Sequence, residues 1–429
     1  MAEVRSSQVV GEVAFVPDGG PVVSQVIGEV AWIAGEPEDE DISVAAIETG
    51  MLIGQYSVWV TDQEGNNVAM FDAWRSLNIN RNLNSPDSIK LVLDGDDPRT
   101  NLFEIDGQVR IFRKNPFVEL DDYIETEGFV RGWMRQSFEN NNKQFTVYIR
   151  GWEDFLSRRI IAYNAGTVGS QKDDATETVM KEYVDENLGS SATIANGRLR
   201  DGVISDLSIE VDGGGGPNWS GSRAYRNILE VLIEISNATG IDFRIERLTN
   251  TSWEFQVGEI GLDRSAVGID PTTGLNGSGN SPVVFSENMG TISEISYSLR
   301  RLDEANVVFA LGQGEESLRT VVVQSNDAAA DDSPYNDREI SRNGSAQEYE
   351  YELRRFADEW LEKLGPNEEF KFDPRQTKSL FYGKHYQVGD TVTAKFGDIV
   401  RDKRIIGADI TVTHSDVEGI TLTFQDITR

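Results

Sequence analysis

The sequence predicts an α+β chain that is mainly β: a first antiparallel β domain, barrel or sandwich, then an inserted α/β region, and a second β domain with a late helix. Three observations carry this expectation. Short runs that alternate apolar and polar residues fill 51–158, the period-two signature of half-buried antiparallel strands. In 159–285 the apolar spacing changes to that of helices. From 286 to 429 strand-like runs return around one amphipathic segment, 347–364. With 429 residues and 38% hydrophobic composition, the chain has the length for several domains and the apolar content to bury real cores.

The first 50 residues read as an arm built on a duplication. Ser7-Gln8-Val9-Val10-Gly11-Glu12-Val13-Ala14-Phe15 returns as Ser24-Gln25-Val26-Ile27-Gly28-Glu29-Val30-Ala31-Trp32. Each copy is β-prone and ends in an aromatic, and Pro17-Asp18-Gly19-Gly20-Pro21 between them is a turn. Two strands alone are marginal, so the arm calls for a further surface to pair with. Glu36-Pro37-Glu38-Asp39-Glu40-Asp41 then reads as a solvated linker.

The first β domain, 51–158, contains strands at Tyr56-Ser57-Val58-Trp59-Val60, Val68 to Phe71, Ser88 to Leu93, Gln108 to Arg113, Gly128 to Trp133 and Gln144 to Ile149. In the inserted region, Asp173 or Asp174 can cap a helix that presents Val179, Tyr183 and Leu188 and stops at Gly189. A second helix is expected from Ser222, with Tyr225, Ile228, Leu229, Leu232 and Ile235 inward and Gly240 as its end. Strands at Ile241 to Ile245 and Trp253 to Val257 follow. In the second β domain Thr291 to Leu299 and Ala305 to Leu311 read as a strand pair. The helix carries Tyr349, Leu353, Phe356, Trp360 and Leu364 before Gly365-Pro366, and strands return at Thr391, Arg404, Asp409 and Ile420.

Charge and composition exclude several classes. There are 72 acidic against 40 basic residues, a formal charge of −32. That balance opposes a nucleic-acid binder, which needs basic side chains to displace counterions, and a polybasic membrane-surface protein. The chain has no cysteine, which excludes disulfides, thiolate catalysis and Cys-based zinc sites. The amino terminus lacks the basic start and apolar run of a signal peptide, and no stretch approaches the roughly 20 apolar residues of a membrane-spanning helix. Basic residues are 29 Arg and only 11 Lys. A saline setting that screens the self-repulsion accounts for this, as does a GC-rich genome with acidic drift.

The residues do not assemble into an enzyme, and no catalytic residue, cofactor or metal ligand is assigned. His385 and His414 are the only histidines. His385 between Lys384 and Tyr386 reads as a strand-entry residue, and His414 in Thr413-His414-Ser415-Asp416 as turn chemistry. Gly213 to Gly216 is followed by Pro217-Asn218-Trp219, not the Gly-Lys-Ser/Thr of a phosphate loop. Gly312-Gln313-Gly314-Glu315 lacks the third glycine of a dinucleotide fingerprint and reads as a turn. Asp94-Gly95-Asp96-Asp97 and Asp121-Asp122 have oxygen ligands for calcium but not the twelve-residue loop pattern; solvated turns are the plainer reading.

One resemblance emerges from the motifs taken in order. Tyr56-Ser57-Val58-Trp59-Val60 with Asp62 leads into Asn78-Ile79-Asn80-Arg81-Asn82-Leu83-Asn84 and Leu91-Val92-Leu93. Gly107-Gln108-Val109-Arg110-Ile111-Phe112-Arg113-Lys114, Glu127-Gly128-Phe129-Val130 and Tyr148-Ile149-Arg150-Gly151-Trp152-Glu153-Asp154-Phe155-Leu156-Ser157-Arg158-Arg159 come next. Asn306 to Glu315 with Arg319, and Phe381 to Val392, complete the series. This order resembles the tail hub proteins of long-tailed phages, in particular a siphovirus family of hub-like tail-tip proteins, across most of 56–424. The resemblance implies a homotrimer that closes the distal end of the tail tube and forms part of the DNA ejection channel. Two related β-barrels per chain would give a pseudo-six-fold ring. It also implies partners: a tail tube or distal tail protein, a tip or fibre protein, and the tape measure protein. There would be no sequence-specific nucleic acid and no stable membrane insertion. The setting implied is the virion tail tip, and the host cytoplasm during assembly. Relatives with wall-cleaving extensions carry them beyond the position of Arg429, so no such activity is expected.

The proposed duplication has echoes in sequence. Gly107-x-Val109-x-Ile111 echoes Gly389-x-x-Val392-x-Ala394, and Phe145-Thr146-Val147-Tyr148-Ile149 echoes Ile420-Thr421-Leu422-Thr423-Phe424. A second reading from another class is a receptor- or carbohydrate-binding tail protein, since exposed Trp and Asp on β-rich folds also suit sugars.

Overall fold

The structure is a computed structural model that describes residues 54–427 except 140, 163–166, 168, 328–334, 346, 348, 366 and 415–416, with the backbone of three short amino-terminal strands. Those strands are β1 (Val4–Ser7), β2 (Val22–Val23) and β3 (Val30–Ile33), and β3 pairs antiparallel with both others. Most of the first repeat copy and the acidic linker lie outside the described residues.

Alternating apolar residues build a first series of strands: β4 (Gln55–Thr61), β5 (Asn67–Phe71), β6 (Ser76–Asn82), β7 (Ser88–Asp94), β8 (Gln108–Asn115), β9 (Leu120–Ser137) and β10 (Lys143–Arg150). Tyr56, Val58 and Val60 of β4, Val109 and Ile111 of β8, and Phe145, Val147 and Ile149 of β10 are buried on one face, as the two-residue period requires.

The middle region begins with the short helix α1 (Asp154–Ser157), then β11 (Ser170–Ala175), α2 (Thr176–Asp185), β12 (Leu207–Ile209), β13 (Asn218–Arg223), α3 (Ile228–Thr239), β14 (Asp242–Thr249) and β15 (Ser252–Gly258). Its core joins Val179, Met180, Tyr183 and Val184 of α2 to Ile228, Val231, Leu232 and Ile235 of α3, with Phe129, Trp152, Phe155 and Trp253 packed ring to ring.

Both helices start later than the sequence suggests. Asp173 and Asp174 lie in β11, and Ser222 lies in β13, because 170–175 and 218–223 pair antiparallel with each other. The hydrogen bonds of that ladder compete successfully with a helical start in this Ser/Gly-rich sequence. Helix α3 is instead capped by Asn227, whose side chain accepts from Glu230 N, and Tyr225 stands outside it, exposed and at φ 53°. The stop at Gly240 is as expected, with the glycine in the left-handed region at φ 74°.

Next come β16 (Val284–Ser286), then β17 (Ile292–Arg300), β18 (Val307–Leu311), β19 (Val321–Ser325), β20 (Glu339–Asn343), α4 (Glu350–Lys363) and β21 (Asn367–Pro374). The chain then returns through β22 (Thr391–Phe396), β23 (Ile399–Thr413) and β24 (Glu418–Asp426). Compactness divides the chain into two units, Met1–Thr291 with Pro374–Arg429, and Ile292–Asp373.

Within the smaller unit β18 is flanked by β19 and β20, and Val308, Ala310 and Val322 pack on Leu353 and Ala357 of α4. The sequence pairs 291–299 with 305–311. In the structure, β17 pairs with β21 instead, while β18 takes β19 through the turn at Gly312 and Gly314.

In the larger unit one eleven-stranded sheet runs β16-β22-β23-β6-β7-β10-β9-β8-β4-β5, with β24 on β23. All its pairings are antiparallel except β16 with β22. The early and late strands therefore share one sheet, joined where Ser76–Asn82 of β6 lies against 407–413 of β23. No pairing among the described residues closes it into a barrel. The protein is a mainly β, α+β fold.

Candidate functional site

Beneath the sheet lies a buried ionic cluster that the sequence reading did not single out. Arg113 on β8 is completely buried, and Glu125 on β9 and Glu418 on β24 are 1% exposed. The guanidinium grips Glu418 with two hydrogen bonds, Nε to Oε2 at 3.0 Å and Nη2 to Oε1 at 2.9 Å, the planar fork that suits a carboxylate. Its Nη1 reaches Glu125 Oε2 at 3.2 Å and the Tyr382 carbonyl at 3.3 Å.

Tyr56 donates to Glu418 at 2.6 Å, and Tyr123 and Tyr382 donate to Glu125. Arg81 on β6 pairs with Glu125 at 3.0 Å and with Asp87 at 2.7 Å. Burial raises the pKa of Glu125, but Arg113 and Arg81 outweigh it and leave the group below its ordinary value. Burial drives the Tyr56 and Tyr382 hydroxyls well above theirs, so both stay protonated donors. The cluster ties β4, β6, β8 and β9 to β24.

A second cluster fixes the middle region to the late strands. Asp242 at the head of β14 accepts from Arg404 of β23 and from Asn84, the latter at 2.8 Å. Asp390 takes Leu262 N at 2.7 Å and Arg264 Nε at 3.0 Å. At the edge of the same region sits Glu153, whose carboxylate accepts from Ile245 N at 3.2 Å. Burial, then the neighbouring Asp87 charge, push it up to about 7.

The residues flagged in sequence are placed as follows. His385 Nδ1 accepts from Phe381 N at 2.9 Å, and burial lowers its pKa. His414 is exposed in the turn after β23. Gly213 N and Gly215 N point at an anion after all, the chain's own Glu177 carboxylate, at 2.8 and 2.6 Å, with Lys181 Nζ at 2.6 Å. The loop thus uses the anion-holding geometry of successive backbone amides on an internal ligand. Asp94, Asp96 and Asp97 face Arg75, Lys143 and Arg99. Among the described residues no group of three or more His, Asp or Glu is placed to hold a metal ion, and no helix is long and apolar enough to cross a membrane.

The surface of the sheet carries a second kind of feature. Strands β8-β9-β10 and β22-β23-β24 are two meanders of one plan. Each central strand is long and pairs with its predecessor through its first part and its successor through its second. Each skips one residue at a bulge, Arg131 and Ile406, and each bulge is followed by glycine, Gly132 opposite Tyr148 and Gly407 opposite Thr423. The pairs Val147–Trp133 and Leu422–Ala408 then fall at matching places. The outer edge of 407–413 is occupied by β6. The matching edge of β9, 132–137, has no strand on it among the described residues. It carries Trp133 and Met134 at 46% and 39% exposure, and Phe138, in the turn that follows, is 47% exposed.

The family model for the Siphovirus ReqiPepy6 Gp37-like protein matches residues 57–424. No curated protein matches the sequence. Among solved structures, the 43 kDa tail protein of prophage MuSo2 from Shewanella oneidensis is 8% identical over 87% of this chain and 98% of its own, with a TM-score of 0.50. The tail protein from Neisseria meningitidis MC58 is 12% identical, covering 87% and 96% at 0.48. Prophage tail protein gp18 from Listeria monocytogenes EGD-e is 10% identical, covering 87% and 95% at 0.46. At such identities the likeness is one of fold, whereas the family match spans most of the chain, and this protein belongs to the Siphovirus ReqiPepy6 Gp37-like family.

Proposed function

We propose that the chain is a non-enzymatic structural protein of a phage tail: the hub, a homotrimer that closes the distal end of the tail tube and forms part of the ejection channel. The observation that carries this reading is the family match over 57–424, together with a fold shared with 98% of a prophage tail protein. The two meanders with matching bulges support a duplicated β domain, so that three chains present six related modules to a hexameric tube.

A tube or distal tail protein would bind on one side of the ring and a tip or fibre protein on the other, with the tape measure protein ending at it. The protein would assemble in the host cytoplasm and reside in the virion tail tip. The net charge of −32 suits a conduit to which DNA does not adhere.

Electron microscopy of the purified full chain in molar salt, with mass from light scattering, tests the reading. The expected result is a three-fold ring with a central pore at three chain masses. A persistent monomer that retains cells or glycans would replace it with the receptor-binding reading.

A further inference from the structure

Resting on the hub reading, the geometry points to the contact that joins one copy to the next: strand β17, Ile292–Arg300, of a second copy pairs along the open outer edge of β9, residues 132–137. The argument starts inside one chain. The long strand β23 has β24 on one side and β6 on the other, Asn82 to Ser76 running against Gly407 to Thr413. In its counterpart β9, residues 132–137 have β10 on the corresponding side and, among the described residues, no strand on the other, where β8 reaches only as far as Phe129. A six-residue strand edge without a partner strand, with exposed Trp133 and Met134 on it and exposed Phe138 just beyond it, invites an added strand.

Strand order identifies the donor. In the first half of the chain β6 and β7 pair with each other and precede the meander β8-β9-β10. In the second half β17 and β21 pair with each other and precede the meander β22-β23-β24, with β18 to β20 and α4 inserted between them. Strand β17 is therefore the counterpart of β6, the strand that fills the same edge on β23. It lies at an edge of a two-stranded ribbon and carries Ile292, Ile295 and Leu299, apolar partners for Trp133, Met134 and Phe138. The contact joins two different strands, so it is head-to-tail, the kind of contact that forms a ring when its rotation closes.

The absence of cysteine in the chain makes the test clean. A disulfide needs Cα atoms within about 4–7 Å. One full-length chain carrying Met134→Cys is coexpressed with another carrying Ser296→Cys, and in parallel with Glu294→Cys or Ser298→Cys for the adjacent registers of the same strand face. Mixed disulfide dimers are expected from at least one register, and covalent trimers from a chain that carries both substitutions. A trimer by light scattering that cross-links at no register overturns the proposal and leaves the hub reading standing. Dimers from Met134→Cys alone overturn it as well, since they report a two-fold contact. Failure to trimerise under any condition overturns both.

Discussion

Arg113 has no route to water, so its charge is balanced only by the two carboxylates it touches, and each carboxylate depends on it in turn. Removing one member of such a buried set costs about 3–5 kcal/mol, because the partners stay behind uncompensated. Arg113→Met should therefore lower the urea midpoint by that equivalent, whereas Lys143→Met, at the exposed and solvent-screened pair with Asp96, should leave it nearly unchanged. Equal effects would mean the cluster is not what holds β24 to the early strands.

Glu153 gives a pH signature of opposite sign from an ordinary salt-bridged acid. Its folded pKa, about 7, lies above the ordinary 4.5, because burial and then Asp87 disfavour the charge, with the backbone amides of Glu153 and Ile245 and then Arg81 only partly offsetting them. Folding thus favours the protonated form, so this stabilisation is present in acid and lost as pH rises through 7. Glu153→Gln should match the parent at pH 4 and exceed it by about 1–3 kcal/mol at pH 8; a difference that does not change with pH would refute this. Arg113 was legible in one respect. Val109, Ile111 and Arg113 share strand parity, which puts the charge on the apolar face. Its partners were not legible, since Glu418 is 305 residues away.

Elements were read well where a periodic pattern ended in a stereochemical signal, and less well where two local signals competed. Gly240 ends α3 as expected because only a glycine sits easily at φ 74° after the last turn. The start of α3 was expected at Ser222, yet the ladder between β11 and β13 claims that residue, and the cap is Asn227. Asn227→Ala should cost about 1 kcal/mol in thermal or urea unfolding, while Ser222→Ala should be nearly silent at the helix; the reverse order would restore the earlier start. The glycine loop shows the same competition. Its sequence reads as a flexible loop, yet the loop is held by Glu177, a residue 36 positions before Gly213. Periodicity located the strands of both halves, but pairing partners such as β6 with β23 depend on contacts between residues more than 320 apart, as Asn80 and Asp409 illustrate.

At the scale of the molecule, Ile292–Asp373 leaves and rejoins the rest of the chain at one place, since Arg375 N donates to Thr291 O at 2.8 Å. Such an insertion has its own core, in Val308, Ala310, Val322, Leu353 and Ala357, and none of the residues of the two ionic clusters belongs to it. The sequence placed this segment inside a larger second β domain because its strands and helix carry the same composition as their neighbours, and only the closeness of its two ends marks it off. Replacing 292–373 by a short Gly/Ser linker should therefore leave the eleven-stranded sheet folded, with a cooperative thermal transition within a few degrees of the parent. It should also leave the protein monomeric in molar salt, because β17 leaves with the insertion while the open edge of β9 remains. A truncated chain that still forms a three-fold ring would show that the sheet of the larger unit assembles through some other edge, and a truncated chain that does not fold would show that the insertion supports the sheet itself.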